Sequence, residues 1–238
     1  MDLKIKDVAD LLNVSETTIR RWLTDGKIPA YKINHQYRFN RLEIENWVMG
    51  QRVNHPPHSN TLHEKKESSS ETQTKGGRKQ FSLYRAAHQG EILTDIAGTT
   101  KEEVIRGTMQ RIAKNLNLDP EIASELLLQR EKLQSTALNH GIALPHSRES
   151  IIRAGKDAVF IVFPHQPLDY GALDGEPVHT LFFLFASDDK NHLHLLAKIA
   201  HLSIQEETRE FLKTCPSKEK LLLFIKEWEG SIQKVLDA

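Results

Sequence analysis

A long polar segment divides this chain into parts that fold separately. Leu62 is the only large apolar residue between Val53 and Phe81, and Pro, Ser, Lys and Gly dominate the segment. Such a segment buries too little apolar surface to offset the entropy lost on ordering. Three parts are therefore predicted: a small domain at 1–52, a flexible linker at 53–80 and a larger domain at 81–238.

The composition predicts a cytoplasmic protein without membrane insertion. Hydrophobic residues make up 39% of the chain, and no apolar run approaches the roughly 20 residues that a membrane helix needs. The first residues lack the apolar core of a signal peptide. A single cysteine, Cys215, excludes an internal disulfide framework and is typical of a reducing compartment.

The small domain shows the pattern of two helices joined by a tight turn. Apolar residues from Ile5 to Leu12 fall on one helical face, and Asn13 is suited to end that helix. Ser15 is a predicted N-cap for a second helix, whose buried stripe is Ile19, Trp22 and Leu23. Because the second helix exposes Thr and Arg, the pair predicts a helix-turn-helix.

A hairpin and a third helix complete the small domain. Residues 31–33 and 37–39 alternate around a polar turn, which predicts a wing, and Asn40 caps a helix that starts at Arg41. Four segments carry a family resemblance: Val8-Ala9-Asp10-Leu11-Leu12-Asn13-Val14-Ser15, Ile19-Arg20-Arg21-Trp22, Gly26-Lys27-Ile28-Pro29 and Arg38-Phe39. With these segments, the domain resembles excisionase/MerR-like winged helix-turn-helix proteins.

The resemblance implies DNA as a partner. Arg20 and Arg21 are candidates for guanine edges, while phosphate contacts are expected from Thr17, Thr18, Lys32 and Arg38. Residues 1–52 carry nine Lys or Arg and seven Asp or Glu, a weak excess that permits DNA binding without requiring it. The alternative is a degenerate helix-turn-helix that serves as a protein–protein module.

The larger domain alternates helices with apolar strands. Thr100-Lys101-Glu102-Glu103 is a capping-box pattern, and Asp119-Pro120 marks a second helix start. Uninterrupted apolar runs at 158–163 and 180–185, with a shorter one at 141–145, predict central strands covered by helices. With further helices at 191–204, 206–213 and 217–228, the pattern predicts an α/β sandwich.

The stretch from Asn139 to His146 is the strongest candidate for chemistry. Pro145 stiffens the backbone that leads to His146, and a neutral imidazole at a rigid strand end is a competent nucleophile. The residues alone leave open a purely structural histidine beside a turn.

Three separated segments carry a family resemblance over roughly residues 81–230. They are Leu127–Glu131 with Ser135-Thr136 and Gly141-Ile142-Ala143-Leu144-Pro145-His146; Pro167–Tyr170 with Ala172–Val178; and His192-Leu193-His194-Leu195-Leu196-Ala197. Together they resemble phosphotransferase-system (PTS) IIA domains of the fructose/mannitol type, which include nitrogen-regulatory IIA proteins. The resemblance implies a mixed sheet flanked by helices.

The same resemblance implies the site residues. His146 matches the histidine that accepts a phosphoryl group from HPr or its nitrogen-branch relative, and His192 matches the second active-site histidine. Arg130 is expected to bind phosphoryl oxygens, with Ser135 and Thr136 as hydroxyl donors. The alternatives are that His192 only caps a helix and that Arg130 only pairs with a carboxylate.

No cofactor or metal is expected. His192, His194 and His201 suggest zinc, but residues two apart on a helix do not share a face. The sequence also departs from the family pattern, with His140 in the loop that usually reads Gly-Asn-Gly and Ser147-Arg148 where Gly commonly follows the histidine.

The sequence as a whole predicts a regulator in which phosphorylation of His146 is coupled to DNA binding. The chain would then be a phosphoryl-transfer intermediate and not a free-standing enzyme. Two rivals stay open: a component that passes phosphate to a sugar-specific IIB protein, and a docking module that regulates a kinase or transporter.

Overall fold

The computed structural model describes residues 2–12, 14–33, 36–50, 81–147, 150–152 and 156–236. The predicted linker at 53–80 lies outside the described residues, as do Asn13 and Arg148. No helix in the described part of the chain is long and apolar enough to cross a membrane.

The N-terminal part forms two helices, a small antiparallel sheet and a third helix. Its elements are β1 (Asp2–Leu3), α1 (Ile5–Leu12), α2 (Glu16–Thr24), β2 (Tyr31–Ile33), β3 (Gln36–Asn40) and α3 (Arg41–Gly50). The strands lie in the order β1-β3-β2. Both predicted caps are confirmed, because Ser15 Oγ accepts from Thr18 N at 3.1 Å and Asn40 Oδ1 accepts from Leu42 N at 2.9 Å.

The described residues of the C-terminal part form six further helices and four strands, and two of these elements were not predicted. The elements are α4 (Ser82–Gln89), β4 (Ile92–Ile96), α5 (Lys101–Leu116), α6 (Pro120–Leu133), β5 (Ile142–Ala143), β6 (Ala158–Pro164), β7 (Thr180–Phe185), α7 (Asp189–Ile204), α8 (Glu206–Lys213) and α9 (Lys218–Leu236). The predicted capping box at Thr100 and the predicted cap at Asp119 are both present. The sequence analysis missed α4 and β4.

A four-stranded mixed sheet lies between two helical layers. Its order is β4-β6-β7-β5, with β6 and β7 antiparallel and the two outer pairs parallel. Along β6, Val159 and Ile161 pack with α4, α7, α8 and α9, while the alternating Phe160 and Val162 pack with α5 and α6. The predicted α/β sandwich is confirmed, and burial of both faces explains the uninterrupted apolar runs.

The N-terminal domain packs directly on the sandwich, a contact that the sequence did not predict. Arg41 of α3 pairs with Asp189 at the start of α7 at 2.5 Å, and Lys190 Nζ lies 3.8 Å from Asp10 of α1. Met49, 6% exposed, packs in the same apolar cluster as α4 and α7. One face of α3 therefore belongs to the interface between the two domains.

Candidate functional site

A turn of three residues with left-handed backbone conformation leads into the candidate site. Asn139, His140 and Gly141 have φ values of 60°, 53° and 74°. A Cβ on Gly141 would lie 2.3 Å from the His179 ring, so this position requires glycine for both its φ and its space. His140, which departs from the family pattern, is held by its N–H donating to Asp174 Oδ2 at 2.6 Å.

His146 is held by the sheet and by its own backbone. Leu184 N of β7 donates to Pro145 O at 3.0 Å, which fixes the chain beside the sheet. The ring Nδ1 lies 2.7 Å from Leu144 O. Because a carbonyl only accepts, the proton sits on Nδ1 and Nε2 points into the site. The side chain is 0% exposed.

Arg130, in the last turn of α6, lies against that nitrogen. Its Nε is 3.2 Å from His146 Nε2, and its Nη1 donates to Gln134 O at 3.0 Å. The side chain is 1% exposed. The guanidinium is thus aimed at the reactive face of His146 by a backbone contact at the end of its own helix.

His192 lies on the opposite side of the site, in the first turn of α7. Asp188 caps this helix, and the two histidine rings lie 5.1 Å apart between centroids. Among the described residues, the buried Nε2 of His192 has no hydrogen-bond partner. Burial lowers the pKa of His192, which favours the neutral ring, and the nearby Glu45 opposes this shift only in part.

Glu45 of α3 enters this site from the other domain. Its Oε1 contacts His146 Nε2 at short range, and it lies 3.4 Å from Arg130 Nε and 3.9 Å from His192 Nε2. Burial by itself would raise the pKa of this carboxyl, but the contacts with His146 and His192 outweigh burial and hold the pKa far below its ordinary range. Glu45 is therefore an ionised carboxylate.

The hydroxyls of Ser135 and Thr136 are engaged elsewhere. Thr136 Oγ1 donates to Glu131 Oε2 at 2.6 Å, and Ser135 Oγ donates to Tyr170 O at 3.0 Å. These bonds brace the loop that follows α6. A direct role for either hydroxyl in phosphate binding stays a prediction.

A cation is a poor occupant for this cluster. Glu45, His146 and His192 each offer a ligand atom, and these atoms lie within 4.8 Å of one another. However, the Arg130 guanidinium lies 3.2 Å from His146 Nε2 and would repel a metal ion there. The charge arrangement instead suits an anion between Arg130 and the two histidines.

The domain that contains this site matches a known family. Residues 87–228 match the family model for the phosphoenolpyruvate-dependent sugar phosphotransferase system, EIIA 2. The chain belongs to the EIIA 2 family. Residues 3–52 match the family model of a helix-turn-helix domain, so both resemblances found in the sequence are confirmed.

Relatives of the EIIA 2 domain include nitrogen regulatory proteins. One from Pseudomonas aeruginosa is 35% identical over 135 residues, which cover 56% of this chain and 86% of that relative. One from Escherichia coli K12 is 33% identical over 136 residues, which cover 56% and 82%. The crystal structure of nitrogen regulatory protein IIA-Ntr from Neisseria meningitidis superposes with a TM-score of 0.54 at 26% identity, covering 60% of this chain and 98% of that one.

The candidate DNA residues lie on α2 and on the β2–β3 hairpin. Thr17, Arg20 and Arg21 are exposed on α2, and Lys32 is exposed on the wing. Arg38 is half-buried, and its guanidinium donates hydrogen bonds to Gln36 Oε1 at 2.6 Å and to Tyr37 O at 3.1 Å. The Thr18 hydroxyl takes part in the helix cap through Ser15 Oγ at 2.9 Å. Their roles in DNA binding stay predictions.

Sequence analysis missed Glu45 as a member of the site. A signal was present in α3, because its apolar residues do not fall on one face: Leu42, Ile44, Trp47, Val48 and Met49. A helix that is apolar on more than one side packs against more than one partner. That pattern indicates a second contact for α3 but not which side chain would reach His146.

Proposed function

We propose that His146 accepts a phosphoryl group from a phosphohistidine on an HPr-type carrier. The observation that carries this proposal is the hydrogen bond from Nδ1 to Leu144 O at 2.7 Å, because it holds a proton on Nδ1 and leaves Nε2 as the nitrogen that faces Arg130 and His192. A neutral ring with an oriented second nitrogen is the form that attacks phosphorus. The nitrogen regulatory relatives favour a carrier of the nitrogen branch.

The chemistry is a direct transfer between two imidazoles. Nε2 of His146 forms a bond to phosphorus as the donor's N–P bond breaks, and the donor imidazole leaves with that bonding pair. The Nδ1 proton of His146 stays on the hydrogen bond to Leu144 O. Charge on the transferring oxygens is stabilised by Arg130 and by the His192 ring, because such transfers depend mainly on positioning and electrostatics.

The second part of the proposal is that the N-terminal domain binds DNA and that the state of His146 is coupled to transcription. Support comes from the match of residues 3–52 to a helix-turn-helix model and from the exposure of Thr17, Arg20 and Arg21 on α2. The packing of α3 against the EIIA 2 domain supplies a physical route between the two functions.

The test is phosphorylation of the full chain with phosphoenolpyruvate, enzyme I and either HPr or its nitrogen-branch relative. Intact mass and acid lability follow the product. We expect one acid-labile phosphoryl group on the wild type and none on His146→Ala. The matched control is His165→Ala, which removes an exposed histidine that pairs with Asp95 and should leave the mass gain unchanged.

Two results would contradict the proposal. An acid-labile mass gain that is still present in His146→Ala would mean that another residue accepts the phosphoryl group. A wild-type chain that gains no phosphate from any carrier, even after prolonged incubation, would leave a domain that docks or senses without accepting phosphate.

A further inference from the structure

We infer that the helix-turn-helix domain docks in the phosphoryl site of its own chain, with the Glu45 carboxylate in the place of the phosphoryl group. Docking and phosphorylation of His146 then exclude each other. This inference rests on the proposed function, since it describes how that same site is regulated. The group that occupies the site is thus an acidic side chain on α3, the third helix of the helix-turn-helix domain.

The carboxylate occupies the position that an incoming phosphorus needs. Its Oε1 contacts His146 Nε2, the atom that would attack. A carboxylate only accepts hydrogen bonds, so in the docked form this contact requires a proton on Nε2 in addition to the one on Nδ1. The lone pair that would attack phosphorus is therefore available only after Glu45 leaves. With 0% of His146 exposed, a carrier protein has no path to the ring while α3 stays docked.

The surroundings of Glu45 are those that an anionic phosphoryl group would meet. Arg130 Nε lies 3.4 Å from Oε1, and the unpartnered Nε2 of His192 lies 3.9 Å from it. Arginine and histidine nitrogens bind carboxylate and phosphate oxygens by the same charge-assisted hydrogen bonds. The site therefore accepts either anion but has room beside Nε2 for only one.

A continuous face of α3, and not a single contact, holds the domain in place. Arg41, Glu45 and Met49 recur at a spacing of four residues, so they lie on one side of the helix. Arg41 pairs with Asp189, Glu45 enters the site, and Met49 packs with the apolar layer of the EIIA 2 domain. Asn46 Oδ1 accepts from Arg130 Nη2 at 3.4 Å beside them.

Phosphorylation would release this face. A phosphoryl group on Nε2 would place several negatively charged oxygens against the buried Glu45 carboxylate and would take over its contacts with Arg130. Like charges in a buried site repel strongly. Thr17, Arg20 and Arg21 of α2 are exposed even in the docked form, so release would change the position of these side chains relative to the EIIA 2 domain and would not uncover them.

The test compares phosphorylation rates of full-length variants at limiting phospho-carrier. Glu45→Gln keeps the shape but removes the charge, and we expect it to be phosphorylated at least about tenfold faster than the wild type, because it loses a buried ion pair. Arg41→Gln weakens docking without touching His146 and should show a smaller acceleration. The matched control is Glu43→Gln, which removes a carboxylate of the same helix that accepts a hydrogen bond from the Tyr31 hydroxyl. Its phosphorylation rate should equal that of the wild type.

Hydrogen exchange measures docking independently of the rate. We expect amides of α3 and of the first turns of α7 to be protected in the unphosphorylated wild type, and to lose protection in Glu45→Gln and after phosphorylation. Equal rates for Glu45→Gln and the wild type, or protection unchanged by phosphorylation, would overturn the inference while His146 remains the acceptor. If none of the variants accepts phosphate, the proposed function fails, and this regulation fails with it, even if α3 is still protected.

Discussion

Helix α2 holds its arginines in solvent, whereas α3 of the same domain buries a glutamate inside the neighbouring domain. Arg20 and Arg21 are exposed, and the Arg20–Glu16 pair at 3.8 Å is a surface contact. Glu45 is 2% exposed and touches Arg130 and His146. The two helices are adjacent in one small fold, so the difference lies in what each one faces.

This difference separates charges available to an outside partner from charges already committed within the chain. Exposed side chains keep their water and contribute little to folding, which leaves them free to bind an external anion such as DNA phosphate. A buried charge has lost its water and depends on its partners. Changes on α2 should therefore alter binding, and changes around Glu45 should alter stability and docking.

The largest expected effect comes from removing a partner of the buried carboxylate. Arg130→Gln leaves Glu45 and the Gln134 carbonyl without their cation, and we expect the free energy of unfolding to fall by about 3 to 5 kcal/mol. Urea unfolding of the full chain measures this loss. The matched exposed substitution, Arg20→Gln, should change the free energy by no more than about 0.5 kcal/mol.

A double variant tests whether the buried charge is the cause. If the cost of Arg130→Gln arises from stranding Glu45, then adding Glu45→Gln should recover part of the lost stability, because the two sites are in contact. Strictly additive losses from the two changes would show that Arg130 acts through packing or through Gln134 alone.

Sequence reasoning succeeded where local chemistry decides the structure. Ser15, Thr100 and Asp119 carry side chains that satisfy amides at helix starts, so their helices were predicted. Helix α4 was missed because Phe81, at its N-cap position, offers no side-chain cap. Strand β4 was missed because the polar residues Thr94 and Asp95 interrupt its apolar run.

The site was only partly predictable for a different reason. His146, His192 and Arg130 lie close together in the structure, while the roles that the family resemblance implies for them stay predictions. Glu45 lies 101 residues before His146 in sequence, and their contact depends on how two domains pack. Spacing and periodicity describe one helix or strand at a time, and they do not show how two domains pack against each other. The alternative considered for Arg130, a carboxylate partner, is present in the structure, and that carboxylate comes from α3.

The next prediction concerns the exposed arginines of α2 and the exposed Lys32. Arg20→Ala and Arg21→Ala should each weaken binding to a DNA site selected from a random library, by about 1 to 3 kcal/mol if the arginine contacts a base. Lys32→Ala should instead weaken binding to all DNA sequences. It should also reduce the slope of log K against log salt concentration by about 1, because one phosphate contact is lost. Fluorescence anisotropy at several salt concentrations separates these two outcomes. Unchanged DNA binding in both arginine variants would mean that these arginines do not contact the DNA site. A wild type that selects no DNA site from the library would favour the protein–protein alternative for this domain.

The smallest expected effect is a pH dependence that belongs to the buried site. Burial lowers the pKa of His192 below its ordinary value of about 6.5, so below that pH the unfolded chain takes up a proton that the folded chain resists. The free energy of unfolding should therefore fall as the pH drops from about 7.5 to about 5.5, by at most about 1.4 kcal/mol per pH unit for this one proton.

Substituting His192 isolates its share of that dependence. His192→Gln should show a shallower fall over the same range, while the half-buried His179, whose pKa is also lowered by burial, keeps part of the slope. Glu45 does not contribute there, because its lowered pKa provides stability that is complete above its ordinary value of 4.5 and is lost only in stronger acid. An unchanged slope in His192→Gln would mean that the ring does not stay neutral in the folded chain, and that its contact with Glu45 outweighs its burial.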